Sequence, residues 1–155
     1  MTQAVDLTVS VVSYHVADEL RDCLASALTA APRHQIEIIV VDNASGLPTQ
    51  KVLDDYEQHP AVRSIRNGDN RGFAAANNQA LRQAKGRYFM LLNPDCRVLE
   101  DALSVLVESM DALFESPAGE MIPYTVFLTQ IEFKNSSEDF THQLCFLGQD
   151  ASVFK

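Results

Sequence analysis

The hydrophobic pattern of this chain changes period several times. Residues 7–12, LTVSVV, form a β-branched run with polar neighbours, the pattern of a strand. Leu20, Cys23, Leu24, Ala27 and Leu28 then recur at helical spacing, with Asp18 placed to cap the start and Pro32 following the end. Residues 36–41, IEIIVV, are apolar nearly throughout, as befits a strand buried on both faces. The turn DNASGLP leads to a shorter helical stretch near residues 49–56. Residues 62–65 suit a third short strand, and residues 73–84, rich in Ala, Gln and Leu, predict a helix ended by Lys85 and Gly86. RYFMLL, residues 87–92, gives a fourth strand, after which Leu103, Leu106, Val107, Met110 and Leu113 form an apolar helical stripe. Strand and helix thus alternate four times. The expected fold is α/β: right-handed βαβ units building a Rossmann-type, mainly parallel sheet with helices on both faces.

Composition narrows the function classes. The chain has 155 residues, 46% of them hydrophobic, and a formal charge of -9. That is material for one core rather than two. An acidic chain without a run of Lys or Arg does not offer the clustered cations that a nucleic-acid surface needs, so any phosphate it holds is a small, locally managed one. No basic residue precedes the first apolar run, which is too short for a signal or a membrane span, so the expectation is a soluble, cytoplasmic chain. Cys23, Cys96 and Cys145 lie far apart without a CxxC pair and read as reduced thiols. His15, His34, His59 and His142 lack the spacing of shared metal ligands and read as surface residues.

Open parallel sheets bind ligands in the crevice outside the carboxyl ends of their strands. Here those ends carry Ser13-Tyr14-His15, Asp42-Asn43, residues 67–71 and Asn93-Pro94-Asp95. Each cluster has a plainer explanation as well. Asp42 to Gly46 suits a turn with a helix cap, Asn67-Gly68-Asp69-Asn70 an ordinary turn, and Pro94 a strand stop. What turn chemistry leaves unexplained is why all four fall on one edge.

IIVVDNAS, NGDNRGFAAANNQAL and GRYFMLLNPDC, in that order and at those strand ends, resemble the family 2 glycosyltransferases, in particular the branch similar to rhamnosyltransferases acting on polysaccharides. The resemblance runs through the chain before Leu113. It implies a GT-A-like sheet whose residues 1–114 bind a nucleotide-diphosphate sugar, a UDP- or dTDP-sugar, for transfer with inversion to a glycan or lipid-linked acceptor. An acceptor of that kind would bring the protein to the inner face of a membrane as a peripheral partner.

Physical roles fit beside the resemblance. Ser13 and Tyr14 close the first strand end, where the Tyr14 ring can stack on a base. Asp42 can accept from a base N–H or a ribose hydroxyl, matching an acidic residue that contacts the nucleoside in the family. Asn70, Arg71 and Gly72 open a helix whose free amides and partial positive charge suit an anion, with Gly72 allowing close approach and Arg71 adding a cation. The resemblance implies that Asn77 or Asn78 faces the sugar, Asn78 being the one taken forward. Asn93-Pro94-Asp95 stands where the family usually has an Asp-x-Asp motif. Asp95 is there the metal ligand, for Mg²⁺ or Mn²⁺ bridging the donor phosphates, and Asn93 replaces the first Asp of the motif, which weakens its direct contact with sugar or ribose.

The departure comes after MDALFE. Residues 115–155 carry no motif recognised from the family and read as a truncated or altered C-terminal region, with a strand expected within MIPYTVFLTQIEF and an isolated acidic spot at Asp150. The catalytic base, expected from the second half of the domain, is not identified. Two other classes stay in view besides an active transferase: a donor-binding piece without turnover, and an unrelated doubly wound domain. For the latter, SYHVADEL lacks the glycines of a dinucleotide fingerprint, and the first strand does not end in the paired acids of a receiver domain.

Overall fold

The computed structural model describes residues 4–114, 125–128 and 144–147. Its elements alternate as β1 (Leu7–Ser13), α1 (Ala17–Thr29), β2 (Ile36–Asp42), α2 (Leu47–Tyr56), β3 (Val62–Arg66), α3 (Phe73–Leu81), β4 (Tyr88–Leu92) and α4 (Ala102–Phe114), followed by β5 (Thr125–Leu128) and β6 (Leu144–Leu147). They form one six-stranded sheet in the order β3-β2-β1-β4-β5-β6. β1 to β5 run parallel and β6 is antiparallel to β5. The α/β class and the parallel topology are as expected.

The central strands are apolar on both sides because both sides are covered. One core gathers Val9, Val11, Ile38, Val40, Met90 and Leu92 against α1, α2 and α4. The other packs Ile39, Val41, Phe89 and Leu91 against Ala76 and Ala80 of α3. Alanine at those two positions lets α3 lie close to the sheet. Among the described residues, no helix is long and apolar enough to cross a membrane.

Several expectations need correction. Asp18 does not cap α1: the capping position is Val16, no side chain bonds the free amides there, and Asp18 lies in the first turn pairing with Arg21. α3 stops at Leu81 rather than at residue 84, since Gln83 and Ala84 bond three residues back to Ala80 and Leu81 in tighter turns. β1 and β2 each run one residue further, so Ser13 and Asp42 belong to the strands. His34 is not an ordinary surface histidine, being only 16% exposed between Asp6 and Glu108. Of the stretch expected as a strand at residues 121–133, the described part is β5, and β6 was not anticipated. The rest of that stretch, His142, the Cys145 side chain and Asp150 lie outside the described residues.

Candidate functional site

Parallel pairing decides where the polar clusters go. Ser13 is the register partner of Asp42, and Asp42 of Arg66, while Val11 is level with Leu92. The carboxyl ends of β1, β2, β3 and β4 therefore lie along one edge. The segments that follow them, with Tyr14, Asn70, Arg71, Gly72, Asn93 and Asp95, border that edge.

Asp42 is fully buried at the sheet end. Its Oδ2 accepts from the Ser45 backbone amide at 3.1 Å and from Gln50 Nε2 at 2.7 Å. Gln50 in turn accepts from Arg66 at 2.8 Å, and Arg66 is held by Asp54 and Glu57. A chain of polar contacts thus links the buried carboxylate to a cation, whose own proton is held more tightly chiefly through its hydrogen bond to Asp54. Asp42 Oδ1 has no partner, and neither does the equally buried Ser13 Oγ beside it in the register. Unpaired polar atoms in a protein interior are costly, and these two lie at adjacent strand ends.

Tyr14 is half exposed, its ring 4.3 Å from that of His15. His15 sits at φ 57° and ties this loop to the next: its amide donates to Ser45 Oγ, and its Nδ1 accepts from the Gly46 amide. The exposed ring of Tyr14 therefore stands on a braced loop.

Gly72 precedes α3 at φ 78° and ψ 166°, a conformation essentially restricted to glycine. Its amide donates to Asn70 Oδ1 at 2.9 Å, and no side chain caps the helix. Arg71 is exposed and contacts Asp69 at 3.2 Å. A Cβ at Gly72 would meet nothing within 4 Å, so the Gly72→Ala cost is backbone strain alone. Chemical denaturation should find this variant folded but destabilised by roughly 1–3 kcal/mol; equal stability would show that the turn tolerates another conformation.

Asn77 is not available to a sugar. It is buried in the α3 face, where Ser10 Oγ donates to its Oδ1 at 2.7 Å and its Nδ2 donates to the Phe73 carbonyl. Asn78, half buried, is the other of the pair. On the far side of the edge, the Asn93 carbonyl accepts from the Cys96 amide and faces Cys23 Sγ at 3.6 Å. Burial, helped by Cys96 and Asp95, pushes the Cys23 thiol up to about 12, so it stays protonated. Cys23 and Cys96 are not joined in a disulfide. Asp95 is exposed, with Cys96 Sγ 4.0 Å from its Oδ1.

The residues that hold this edge together largely escape a reading of local sequence. Ser45, Gln50, Asn67 and Gln79 bond across loops at separations of 8 to 24 residues or lean on Asp42. The Ala, Gln and Leu content of residues 73–84 was the visible signal for α3, but no local pattern singles out Gln79.

Comparisons with known proteins bear on the family and the fold. The profile described as Glycosyl transferase family 2 matches residues 8–138. A protein named as a teichuronic acid biosynthesis glycosyltransferase, TuaG of Bacillus subtilis (strain 168), is 34% identical over 99 residues, covering 63% of this chain and 39% of the relative. Among solved structures, S. aureus TarS 1-349 in complex with UDP-GlcNAc superposes with a TM-score of 0.67 over 88% of this chain and 37% of that one, at 18% identity. The mannosyltransferase PcManGT from Pyrobaculum calidifontis, in complex with GDP-Man and Mn²⁺, is 30% identical with a TM-score of 0.60, covering 75% of this chain and 34% of that one. The chain therefore spans well under half the length of these relatives.

Proposed function

Because the chain belongs to glycosyl transferase family 2, we propose that its strand-end edge binds a nucleotide-diphosphate sugar and serves transfer of the sugar to a glycan or lipid-linked acceptor. The observation that carries this reading is the pair of unpartnered, buried polar atoms, Ser13 Oγ and Asp42 Oδ1, at adjacent strand ends. Asp42 Oδ1 is an acceptor for a base N–H or a ribose hydroxyl, and the exposed Tyr14 ring beside it stacks on the base. A UDP- or dTDP-linked hexose or rhamnose is the donor class, with polysaccharide of the cell envelope as the acceptor setting. The TuaG name and the UDP-GlcNAc bound by TarS support that class. Residues 1–114 form the donor-binding part, working in the cytoplasm at the membrane's inner face.

On the diphosphate side lie Arg71, the Gly72 turn and the uncapped start of α3, where amide groups and the helix dipole favour an anion. Asn70 holds the turn through the Gly72 amide, and Asn78 and Asn93 face the sugar. Among the described residues, no three His, Cys, Asp or Glu side chains come together to hold an ion. Asp95 supplies one exposed carboxylate, which fits Mg²⁺ or Mn²⁺ only if the donor phosphates and water complete the coordination. When bound, such a cation offsets charge on the departing diphosphate.

In the transfer step the acceptor hydroxyl oxygen bonds to the anomeric carbon as the bond from that carbon to the diphosphate oxygen breaks. A base takes the hydroxyl proton, and attack opposite the leaving group inverts the centre. This chain's described residues bind and orient the donor for that step. The alternative reading is donor binding without turnover. It differs in one respect, releasing no nucleoside diphosphate when donor, metal and acceptor are all present.

UDP or dTDP with Mn²⁺ should raise the thermal midpoint through mass action on the folded state. Asp95→Ala should remove the metal-dependent part of that shift and leave the ligand-free midpoint in place. A variant shift equal to the wild type in Mn²⁺ would take Asp95 out of the site, and no shift with any nucleotide would end the donor reading.

A further inference from the structure

Four groups from three parts of the chain form one polar line behind the strand ends. It begins at the Gly72 carbonyl, which can only accept, and so fixes the direction of everything that follows. Asn43 therefore presents Nδ2 to that carbonyl, at 3.4 Å, and turns Oδ1 the other way. Asn67 donates to this Oδ1 at 2.9 Å. The Asn67 amide also pairs reciprocally with Gln79 of α3: Nδ2 donates to Oε1 and Oδ1 accepts from Nε2, both at 2.9 Å. Asn43 is buried, immediately beyond Asp42.

We propose that Asn43, Asn67 and Gln79 are positioning residues that hold the Gly72 turn, and with it Arg71 and the start of α3, in register with the nucleoside end of the site. This rests on the donor reading above and adds to it a mechanical link between the two ends of the ligand. The turn needs such a link. Gly72 occupies a backbone region open to little else, nothing lies within 4 Å of its Cβ direction, and the residues on its N-terminal side, 68–71, are exposed. Apart from the first helical bond from the Ala76 amide, Asn43 is what grips its carbonyl.

Asn67→Asp tests the link because it is isosteric but cannot donate. Asn43 must then rotate its amide to donate toward the new carboxylate, which sets Oδ1 against the Gly72 carbonyl, oxygen facing oxygen. A simple stitch between loops would alter overall stability and every ligand alike, whereas a positioning device separates the ligands. Calorimetric titration should find uridine affinity within a factor of about two of wild type, while UDP with Mn²⁺ binds about tenfold more weakly. Hydrogen exchange without ligand should quicken at residues 68–72. Equal weakening of uridine and UDP, or unchanged UDP affinity, overturns the proposal. If the wild-type chain binds neither uridine nor UDP, it is the donor reading that fails, and exchange then judges the link by itself: unchanged exchange at residues 68–72 in the variant overturns it. Should Asn67→Asp not fold, Gln79→Met, at a half-buried helix position, takes its place in both measurements, where the same results support the link and the same results overturn it.

Discussion

Gly86→Ala should destabilise the chain by about 3 kcal/mol, the upper end of what overpacking typically costs, because the atoms it meets cannot move aside. A Cβ at Gly86 would stand 2.4 Å from the Thr8 backbone nitrogen and 2.7 Å from both the Leu7 carbonyl carbon and the Tyr88 oxygen. All three are backbone atoms, so no rotamer change relieves the contact. The glycine enters β4 where that strand joins β1: its amide donates to Thr8 Oγ1 at 2.9 Å, Thr8 Oγ1 donates to Glu37 at 2.7 Å, and the Arg87 and Tyr88 amides bond the Val5 and Asp6 carbonyls. Relief would have to come from parting β4 from β1, the central pair of the sheet. The thermal midpoint should fall by roughly 10 °C, taking about 2–4 °C per kcal/mol for a chain of this size. Gly68→Ala is the control, since a Cβ there meets nothing within 4 Å, and it should stay within about 0.5 kcal/mol of wild type. Matching midpoints for the two variants would show that β1 and β4 can separate cheaply.

Gly86 also shows what a sequence pattern can and cannot carry. Its position after a helical stretch suggested a helix stop, yet α3 has already ended at Leu81, and the glycine answers to a backbone 78 residues away. The strands were legible because burial on both faces leaves uninterrupted apolar runs, and their parallel order follows from the helices between them. Once the order is known, the common edge follows, so the segments carrying Ser13, Tyr14, Asp42, Arg71 and Asp95 could be expected along it from their positions after the apolar runs. The buttressing was not legible. Gln50 supports Asp42 from the next helix, and the partners of Asn67 lie 24 residues back, just after β2, and 12 residues ahead in α3, where Asn and Gln are ordinary turn and helix-surface residues. His34 misled for the same reason: only the packing of α4 brings Glu108 to it. β6 was missed because four residues of strand, gaining their place by pairing with β5, carry too short a period to stand out.

Asp42→Asn should remove most of the nucleotide affinity while leaving the fold as stable as before, or more so. Ser45 and Gln50 both donate to Oδ2, so the asparagine oxygen has to take that position and its NH₂ group falls where Oδ1 was. An acceptor at that position becomes a donor, and a base N–H, which can only donate, then meets a hydrogen instead of a lone pair. Hydrogen bonds to a charged group are worth about 1.5–3 kcal/mol, so UDP should bind about 10- to 100-fold more weakly. Stability should move the other way. The wild-type carboxylate is fully buried with one oxygen unpartnered, and a neutral amide removes the penalty of holding that charge away from water. The ligand-free thermal midpoint should therefore be equal or higher, and the UDP-induced shift small. That opposition between a stabler fold and a lost ligand is what separates a binding group from a structural one. A variant that loses stability and keeps its UDP affinity would make Asp42 a support for the loop after β2, and the base would have to be read by other residues.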